Sequence, residues 1–277
     1  MQLHVLNCGT LQPPVRGSIE VGSPWFAPGL LVSRCVLLES EGRLILIDSG
    51  LGLLDVAVPW HRLGPVFLAA WHPSLRAAEC AAIQVENLGY QRNDVTDIVL
   101  THLDPDCAGG LADFPDAVVH ANHAELEAAD HSPSIASKLR YRRAQWSHRV
   151  RWRRYGEFEE RWFGLPATMP LPGLEADVRL IALPGHTAGH VGVAVRKEKQ
   201  WLLHAGDAVA SLQDLRLGDE VAPPRWRAWF DHSDPERWCH GVALLRRLMQ
   251  ERDDVTVVCS HDPLRPSLHG IAIPPAS

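Results

Sequence analysis

Short apolar runs and longer helix-like stretches occur in two successive batches along the chain. The first long helix-like stretch ends at Gly89, where glycine suits a left-handed C-terminal residue, and Asp234-Pro235 is typical of an N-cap followed by proline at the first helical position. This order of elements predicts two packed sheets flanked by helices. The strand-like runs lie near 2–8, 33–39, 43–48, 97–101, 117–120, 178–183, 191–195, 201–204 and 255–259, and the helix-like stretches near 74–89, 109–113, 122–130, 134–149 and 234–251.

Composition narrows the class of protein without identifying it. The 277 residues suffice for one large domain with a sizeable core, which we place at 1–277. The formal net charge of −6 argues against general affinity for nucleic acid, and the first residues lack the pattern of a signal peptide. No apolar run approaches the roughly 20 residues of a membrane helix, and the six cysteines form no C-x-x-C pair, which favours free thiols. We therefore predict a cytoplasmic protein.

The stretch 101–110 carries the densest set of reactive side chains. His102, Asp104, Asp106 and Cys107 fall within six positions, directly after the apolar run 97–101. His102 and Asp104 are two residues apart, so they project to the same side of an extended chain. Carboxylates this close repel one another unless a cation or water compensates their charge. The stretch therefore predicts a metal site at one edge of a sheet.

This stretch resembles the H-x-H-x-D-H signature of the metallo-β-lactamase superfamily, and four further segments support the resemblance in the correct order. Residues 44–50 are similar to the strand and aspartate that precede the signature, and 184–190 to the G-H-T-x-G-H element. Residues 203–207 resemble the strand that ends in a bridging carboxylate, and 259–262 the strand that carries the last histidine. The resemblance implies an α/β fold, the four-layer αββα sandwich of this superfamily.

The resemblance also implies a binuclear metal centre. Asp48 would orient a ligand by hydrogen bonding, and His190 would support the loop that carries His186. Asp106 would orient the nucleophile as well as bind metal, which makes it the predicted catalytic residue. The implied ligands are His102, Asp104 and His186 for one ion, Asp106, Cys107 and His261 for the other, and Asp207 as the bridge.

Two positions depart from the superfamily signature, and both still hold metal-ligand types. Asp104 stands where most members have histidine, which shifts the preference toward harder metals such as iron or manganese. Cys107 stands where almost all members have histidine, and a thiolate suits zinc. We therefore expect two divalent metal ions, with zinc favoured and iron or manganese as alternatives. A single-ion site or a lost site is the other interpretation of the same two residues.

The segment 131–163 differs in composition from the rest of the chain. From 131 to 156 it has eight arginines and lysines and no acidic residue, with tyrosine and tryptophan between them. One interpretation is a solvated helix over the sheet, and another is a helical lid whose arginines bind an anionic substrate group. The overall acidity disfavours single-stranded nucleic acid. As a helical insertion beside the metal site, the segment offers Tyr141, Arg142, Trp146 and His148 as candidate substrate-binding residues.

The expected function is that of a metal-dependent hydrolase. It would use a metal-activated water or hydroxide on a small ester, lactone or related substrate, as the resemblance to the stand-alone lactonase-like branch implies. The expected partner is a small-molecule substrate, with an anionic substrate as one option. We expect neither nucleic acid nor a membrane as a partner, and the sequence leaves open whether the protein forms an oligomer. A non-haem iron redox enzyme and a degenerate metal-binding protein without turnover are the alternatives. Bound iron would favour the first of these, and failure to bind metal the second.

Overall fold

Each half of the chain builds one six-stranded mixed sheet in the computed structural model. The described residues are 1–14, 28–40, 42–131, 134–174, 177–209, 211–212, 215 and 233–263. In sheet one the order is β1 (Gln2–Leu11), β2 (Leu31–Ser40), β3 (Arg43–Ile47), β4 (Val95–Val99), β5 (Val118–Asn122) and β6 (Arg151–Tyr155). In sheet two it is β12 (Val255–Val258), β11 (Gln200–His204), β10 (Val191–Lys197), β9 (Val178–Ala182), β8 (Leu165–Ala167) and β7 (Glu160–Trp162).

Parallel pairing joins β4, β11 and β12, each of which is followed by a potential metal ligand, to a neighbouring strand. In sheet one β3 to β6 run parallel to one another, while β1, β2 and β3 pair antiparallel. In sheet two β11 and β12 are parallel and the other pairs are antiparallel. The carboxyl ends of parallel strands therefore meet at one edge of each sheet, and the loops that follow them lie together.

The inner strands are apolar on both faces because each face packs against a different layer. In β2, Cys35 and Leu37 belong to the core on the outer side of sheet one, whereas Val36 and Leu38 belong to the core between the sheets. Successive side chains of a strand alternate between faces, so a strand buried on both sides is a continuous apolar run. Val193 of β10 faces the same central core from sheet two.

Helices cover the two outer faces and complete the four layers. The long C-terminal helix packs on sheet two through Trp238, Val242 and Leu245, spaced at intervals of four and three residues. Its N-cap is Asp234, whose carboxylate accepts a hydrogen bond from the backbone N–H of Arg237 at 3.1 Å. The helices are α1 (Leu53–Ala57), α2 (Pro59–Arg62), α3 (Gly64–Trp71), α4 (Ala81–Asn87), α5 (Pro105–Ala108), α6 (His123–His131), α7 (Ile135–Arg140) and α8 (Pro235–Glu251).

The predicted helical insertion over 131–163 is wrong for its second half. Helix α7 ends at Arg140, a 3-10 turn spans Arg143–Trp146, and the chain then forms β6, which pairs in parallel with β5. The arginines of β6 lie on the last strand of sheet one, where charged side chains protect an open edge. Trp152 still packs against the outer core of that sheet. The aromatic residues of β6, Trp152 and Tyr155, therefore anchor an edge strand to the core.

The remaining elements agree in part with the sequence. The prediction of two packed sheets flanked by helices is confirmed, and Gly89 ends α4 with a φ of +91°. The helix expected over 74–89 is shorter, because α4 is preceded by a separate 3-10 turn at Ala77–Glu79. Helices α1 to α3 and the hairpin β7–β8 were not predicted. No helix of the described residues could cross a bilayer, and the cytoplasmic location stays a prediction.

Candidate metal centre and cleft

The predicted ligand residues come from the ends of strands in both sheets. His102, Asp104 and Asp106 follow β4, and α5 begins at Pro105, which takes the first helical position after Asp104. His186 lies in the loop between β9 and β10, Asp207 follows β11, and His261 follows β12. The facing sheets bring these loops to one place on the molecule.

Four of these residues gather into one group of donor atoms. His102, Asp104, His186 and Asp207 each offer one ligand atom, and the four atoms lie within 4.8 Å of one another. The Nε2 atom of His186 is 3.1 Å from Asp104 Oδ2 and 3.4 Å from Asp207 Oδ2. The Nε2 atom of His102 is 3.5 Å and 3.6 Å from the same two oxygens. Two imidazoles and two carboxylates thus converge as the donors of a metal ion do.

Three buried atoms of this group have no hydrogen-bond partner. They are Nε2 of His102, Oδ1 of Asp104 and Oδ1 of Asp207. Buried polar atoms are nearly always paired, and leaving one unpaired costs about 1–3 kcal/mol. The free lone pairs of one imidazole and two carboxylates suit a divalent cation, because all three atoms can bind it as ligands.

A hydrogen-bond chain fixes the orientation of His102. The hydroxyl of Thr101 donates to Asp48 Oδ2 at 2.8 Å, and its oxygen lies 2.9 Å from Nδ1 of His102. Because the single hydroxyl proton is used on Asp48, the imidazole Nδ1–H donates to Thr101 and Nε2 faces the cluster. Asp48 therefore reaches the cluster through Thr101, and its other carboxylate oxygen accepts the backbone N–H of Thr101 at 2.8 Å.

Asp106 and His261 lie beside the four-donor group, and His261 contacts it at Asp207. The Nε2 atom of His261 is 3.0 Å from Asp207 Oδ2 and 3.7 Å from Asp106 Oδ2. Asp207 is thus the carboxylate shared by the three histidines of the cluster. Cys107 is buried one residue further into α5, and its thiol does not belong to the four-donor group found among the described residues.

The charges of the cluster demand a compensating cation or protons. Burial alone would lower the pKa of His102, but the carboxylates of Asp207 and Asp104 outweigh it and raise that pKa to about 10. The pKa of His261 is likewise raised to about 10, against burial, by Asp207 and Asp106. Burial, followed by Asp48 and Asp106, raises the pKa of the Cys107 thiol well above its usual range. A cation bound here would replace protons, because ligands coordinate in their deprotonated forms.

His190 holds Asp207 in place without joining the cluster of donors. Its Nδ1–H donates to the backbone oxygen of Leu183 at 2.9 Å, and its Nε2 accepts the backbone N–H of Asp207 at 2.9 Å. Burial, followed by the neighbouring His102 and His186, keeps the pKa of His190 well below its usual value. The adjacent Gly206 has a φ of +56°, and a Cβ there would lie 2.6 Å from Nε2 of His190. Glycine is therefore required for this contact.

A cleft of about 600 Å³ opens above the cluster. Asp104, Asp106, His186, Asp207 and His261 line its floor. Helix α3 forms an apolar wall, and α7 with the residues on either side of it forms a wall of mixed polar and apolar side chains. The wall residues are Val66, Phe67, Ala70 and Trp71 on α3, and Ser134, Ala136, Ser137, Leu139, Arg140 and Tyr141 on the α7 side. A small molecule with both apolar and polar parts fits such a cleft.

Of the four predicted substrate-binding residues, Tyr141 lines this cleft and the other three lie elsewhere. The guanidinium of Arg142 turns away and donates to the backbone oxygens of His61 and Arg62 at 3.2 Å and 3.4 Å. Trp146 packs against the outer core of sheet one. His148 lies close to Arg62, and burial, followed by that charge, lowers its pKa. The structure does not bring these three residues to the cleft, because the helix that carries the segment ends at Arg140 and the chain after it takes another direction.

Two residues that sequence reasoning missed connect the loops of the site. Nη1 of Arg140 lies 3.0 Å from Asp104 Oδ2 and 2.9 Å from Nε2 of His186. Glu125 of α6 is buried beneath the cluster and accepts hydrogen bonds from the backbone N–H of Leu103 at 3.1 Å and from the hydroxyl of Thr187 at 2.7 Å. Its second oxygen also accepts the backbone N–H of Gly189 at 3.1 Å. No local pattern marks Glu125, since its partners lie in distant loops.

Comparison with known proteins gives one consistent family. Residues 28–261 match the family model of the metallo-β-lactamase superfamily. A probable metallo-hydrolase of Mycobacterium tuberculosis is 36% identical over 269 residues, which are 95% of this chain and 81% of that protein. The N-acyl homoserine lactonase AttM of Rhizobium radiobacter is 25% identical over 264 residues, 95% of this chain and 94% of its own.

Solved structures share the same fold at lower identity. An N-acyl homoserine lactone hydrolase with N-hexanoyl-L-homoserine bound at its catalytic metal centre aligns with a TM-score of 0.71 and 22% identity, over 95% of both chains. The dizinc quorum-quenching lactonase AidC aligns with a TM-score of 0.61 and 15% identity, over 94% of this chain and 86% of its own. At these identities the likeness concerns the arrangement of the two sheets and their helices.

Proposed function

Because the chain belongs to the metallo-β-lactamase superfamily, we propose that it hydrolyses a small lactone or ester in the cleft above its donor cluster. The predicted enzyme class, a metal-dependent hydrolase, and the predicted α/β sandwich are confirmed by that membership and by the relatives. The observation that carries the proposal is the four-donor group with three unpaired buried atoms at the floor of a cleft. The lactonases among the relatives favour a lactone as the first substrate class to test.

His102, Asp104, His186 and Asp207 are the ligands that we propose for one divalent ion. Asp106, His261 and the shared Asp207 are those for a second ion, and Cys107 stays a predicted ligand. Its buried thiol lies near carboxylates that disfavour the thiolate, so a cation beside it would be needed to stabilise that form. We propose zinc as the metal, since mixed imidazole, carboxylate and thiolate donors suit it.

The residues of the cleft have different roles in the proposed hydrolysis. When bound, the metal ions supply Lewis-acid polarisation of the scissile carbonyl and lower the pKa of a water molecule. Asp106 lies at the cleft floor, where its carboxylate orients the attacking water and accepts its proton. The apolar wall of α3 holds the non-reacting part of the substrate and limits access of bulk water. His190 and Thr101 keep Asp207 and His102 in the required orientations.

The first test is elemental analysis of protein purified without chelators or added metal, followed by a panel of lactones and esters. We expect about two equivalents of zinc per chain and turnover that disappears on chelation and returns with the metal. Predominant iron, with oxygen consumption in the presence of a reductant, would instead support the redox alternative. A protein that neither retains nor regains metal would be the degenerate binder, and the proposal would be wrong.

Replacement of Glu125 by glutamine is expected to weaken metal binding by roughly 10- to 100-fold, the usual effect of losing a partner that orients the ligand loops. The carboxylate accepts from the loops on both sides of the cluster, at Leu103 and Thr187, whereas the amide –NH₂ of glutamine cannot accept a hydrogen bond. Metal affinity is measured by competition with a chromogenic chelator. Glu127→Gln, at a half-exposed position of the same helix, is the matched control. Equal affinities in the two variants would show that Glu125 only fills space.

A further inference from the structure

Arg34 is a buried arginine at a junction between the two sheets. It lies on β2 of sheet one, whereas Cys259 and Asp262 follow β12 of sheet two. Its Nε donates to the backbone oxygen of Cys259 at 3.1 Å, and its Nη2 donates to the backbone oxygen of Asp262. The guanidinium therefore holds the segment 259–262 at both ends, and the proposed metal ligand His261 lies between the two contacts.

The backbone of the same segment also pairs with β2. The N–H of Arg34 donates to the oxygen of Ser260 at 2.9 Å, and the N–H of Val32 donates to the oxygen of His261 at 3.4 Å. The Nδ1–H of His261 donates to the backbone oxygen of Val32 at 3.0 Å, since a carbonyl oxygen only accepts. Its Nε2 is left to face Asp207 at 3.0 Å. The place of His261 in the cluster thus depends on how the segment 259–262 lies against β2.

A separate contact connects Arg34 to the strand that precedes Asp207. The Nε2–H of His204, the last residue of β11, donates to the backbone oxygen of Arg34 at 3.0 Å. The Nδ1 atom of the same ring accepts the N–H of Gly206 at 3.1 Å. This contact uses the backbone of Arg34, so replacement of the side chain leaves it in place. The side chain of Arg34 therefore acts on the segment of His261 more directly than on Asp207.

The guanidinium suits this task better than other side chains do. Cys259 and Asp262 are almost completely buried, and buried carbonyl oxygens are nearly always paired. A charged donor forms a stronger hydrogen bond than a neutral one. The planar fork of arginine also presents Nε and Nη2 in a fixed geometry, so that one side chain reaches two carbonyl groups three residues apart. Methionine fills similar space without any donor and would release both ends of the segment.

We infer that Arg34 is a positioning residue for the second proposed metal ion, because it fixes the segment that carries His261. Arg34 contacts neither the ion nor the substrate in this scheme and acts through His261. The inference rests on the proposed function, and it separates the two ions. The first ion uses ligands that the Arg34 side chain does not hold, so its loss should affect the second ion alone.

The zinc affinities of matched variants, measured by competition with a chromogenic chelator, test the inference. The parent protein should bind two ions, and His261→Ala should lose the second and keep the first. Arg34→Met should weaken binding of the second ion by about 10- to 100-fold, the usual effect of losing a partner that orients a ligand, and leave the first nearly unchanged. Arg34→Lys keeps the charge and should lie between the two. Val85→Ala, a cavity in the outer core of sheet one, controls for lost stability and should keep both affinities.

A double variant separates positioning from a general structural role. If Arg34 acts through His261, Arg34→Met changes zinc binding no further once His261 is alanine. A purely structural role would weaken the first ion in both backgrounds, and the inference would be wrong. An unchanged second affinity in Arg34→Met, or a parent protein that binds only one ion, would also overturn it. If Arg34→Met does not fold, Arg34→Lys with and without His261→Ala provides the same comparison.

Turnover of the lactone and ester panel on the same samples tests the proposed function separately. A parent protein that binds two ions and cleaves nothing would overturn the hydrolytic proposal, and the zinc affinities would still decide the inference. Hydrolysis by a parent protein whose activity and zinc content are unchanged by Arg34→Met would retain the function and overturn the inference.

Discussion

Replacement of Asp106 by asparagine is expected to lower kcat by about 10²- to 10⁴-fold, the range for loss of a general base, while the protein keeps one metal ion. Asp106 lies outside the four-donor group, 3.7 Å from His261, so His102, Asp104, His186 and Asp207 remain intact in this variant. Asparagine keeps the shape of the side chain but cannot accept the proton of an attacking water. Turnover is measured on the most reactive lactone of the panel, and metal by elemental analysis of the same sample.

Asp207→Asn provides the contrasting variant. Asp207 is within 3.6 Å of three histidines, so losing its charge removes the shared ligand and should release metal from both positions together with activity. Asp116→Asn, at an exposed position, is the control and should behave as the parent protein. Loss of all metal in Asp106→Asn, or activity within tenfold of the parent protein, would show that Asp106 is a ligand alone or plays no part in proton transfer.

Replacement of Arg62 by methionine is expected to destabilise the fold by about 3–5 kcal/mol, as for a buried ion pair that loses one partner. The Nε atom of Arg62 lies 2.9 Å from Asp55 Oδ1, and both side chains are buried. Its Nη2 donates to the backbone oxygen of Gly109 at 2.9 Å, and its Nη1 to that of Ala144. Arg62 therefore joins α2 to the loop behind Asp106 and to the 3-10 turn that follows α7. Urea unfolding at several pH values measures the loss.

The pH dependence of this loss has a definite sign. Burial already raises the pKa of Asp55, against the hydrogen bond from Gly52 and the charge of Arg62, and removing that charge raises it further. The unfolded state then releases the proton more readily than the folded state, so stability falls as the pH rises. The deficit of Arg62→Met should be smaller at pH 5 than at pH 8.

Two further variants sharpen this result. The double variant Asp55→Asn with Arg62→Met should recover much of the lost stability, because asparagine still accepts the hydrogen bond from Gly52 without a charge. Arg76→Met removes an exposed arginine and should change stability by less than about 0.5 kcal/mol. A pH-independent deficit that the double variant does not relieve would mean that packing, rather than charge, explains the effect.

The sheets and most ligand positions could be predicted because their signals are local. A strand such as β2, apolar on both faces, is a continuous run in the sequence, and it needs no knowledge of its neighbours to be recognised. His102 and Asp104 follow such a run directly, so their place at the end of a strand is also local. The prediction that His186 and Asp207 lie with them came from the resemblance to the superfamily, because sequence spacing alone does not show which distant loops meet.

The wall of the cleft that α7 forms could not be predicted, because its signals are not local. Arg140 and Arg142 are two residues apart in the same basic stretch, and which of them faces the cleft depends on the end of α7 at Arg140. Tyr141 and Arg142 already have extended backbone angles. The composition of the segment also favoured a helix at Trp152. This residue lies instead on an edge strand, which buries its aromatic residues only in part. Glu125 is buried by contacts with loops that lie far away in sequence.

One sheet holds β1 to β6 and the other β7 to β12, so the ribosome completes the strands of one sheet before it begins those of the other. His102, Asp104 and Asp106 leave the ribosome with the first half of the chain, before His186, Asp207 and His261 exist. At that stage only the proposed ligands of the first half, His102, Asp104 and Asp106, would be available to an ion. The proposed metal centre would therefore be completed late in folding, and a retained ion would indicate that the two halves of one polypeptide have docked.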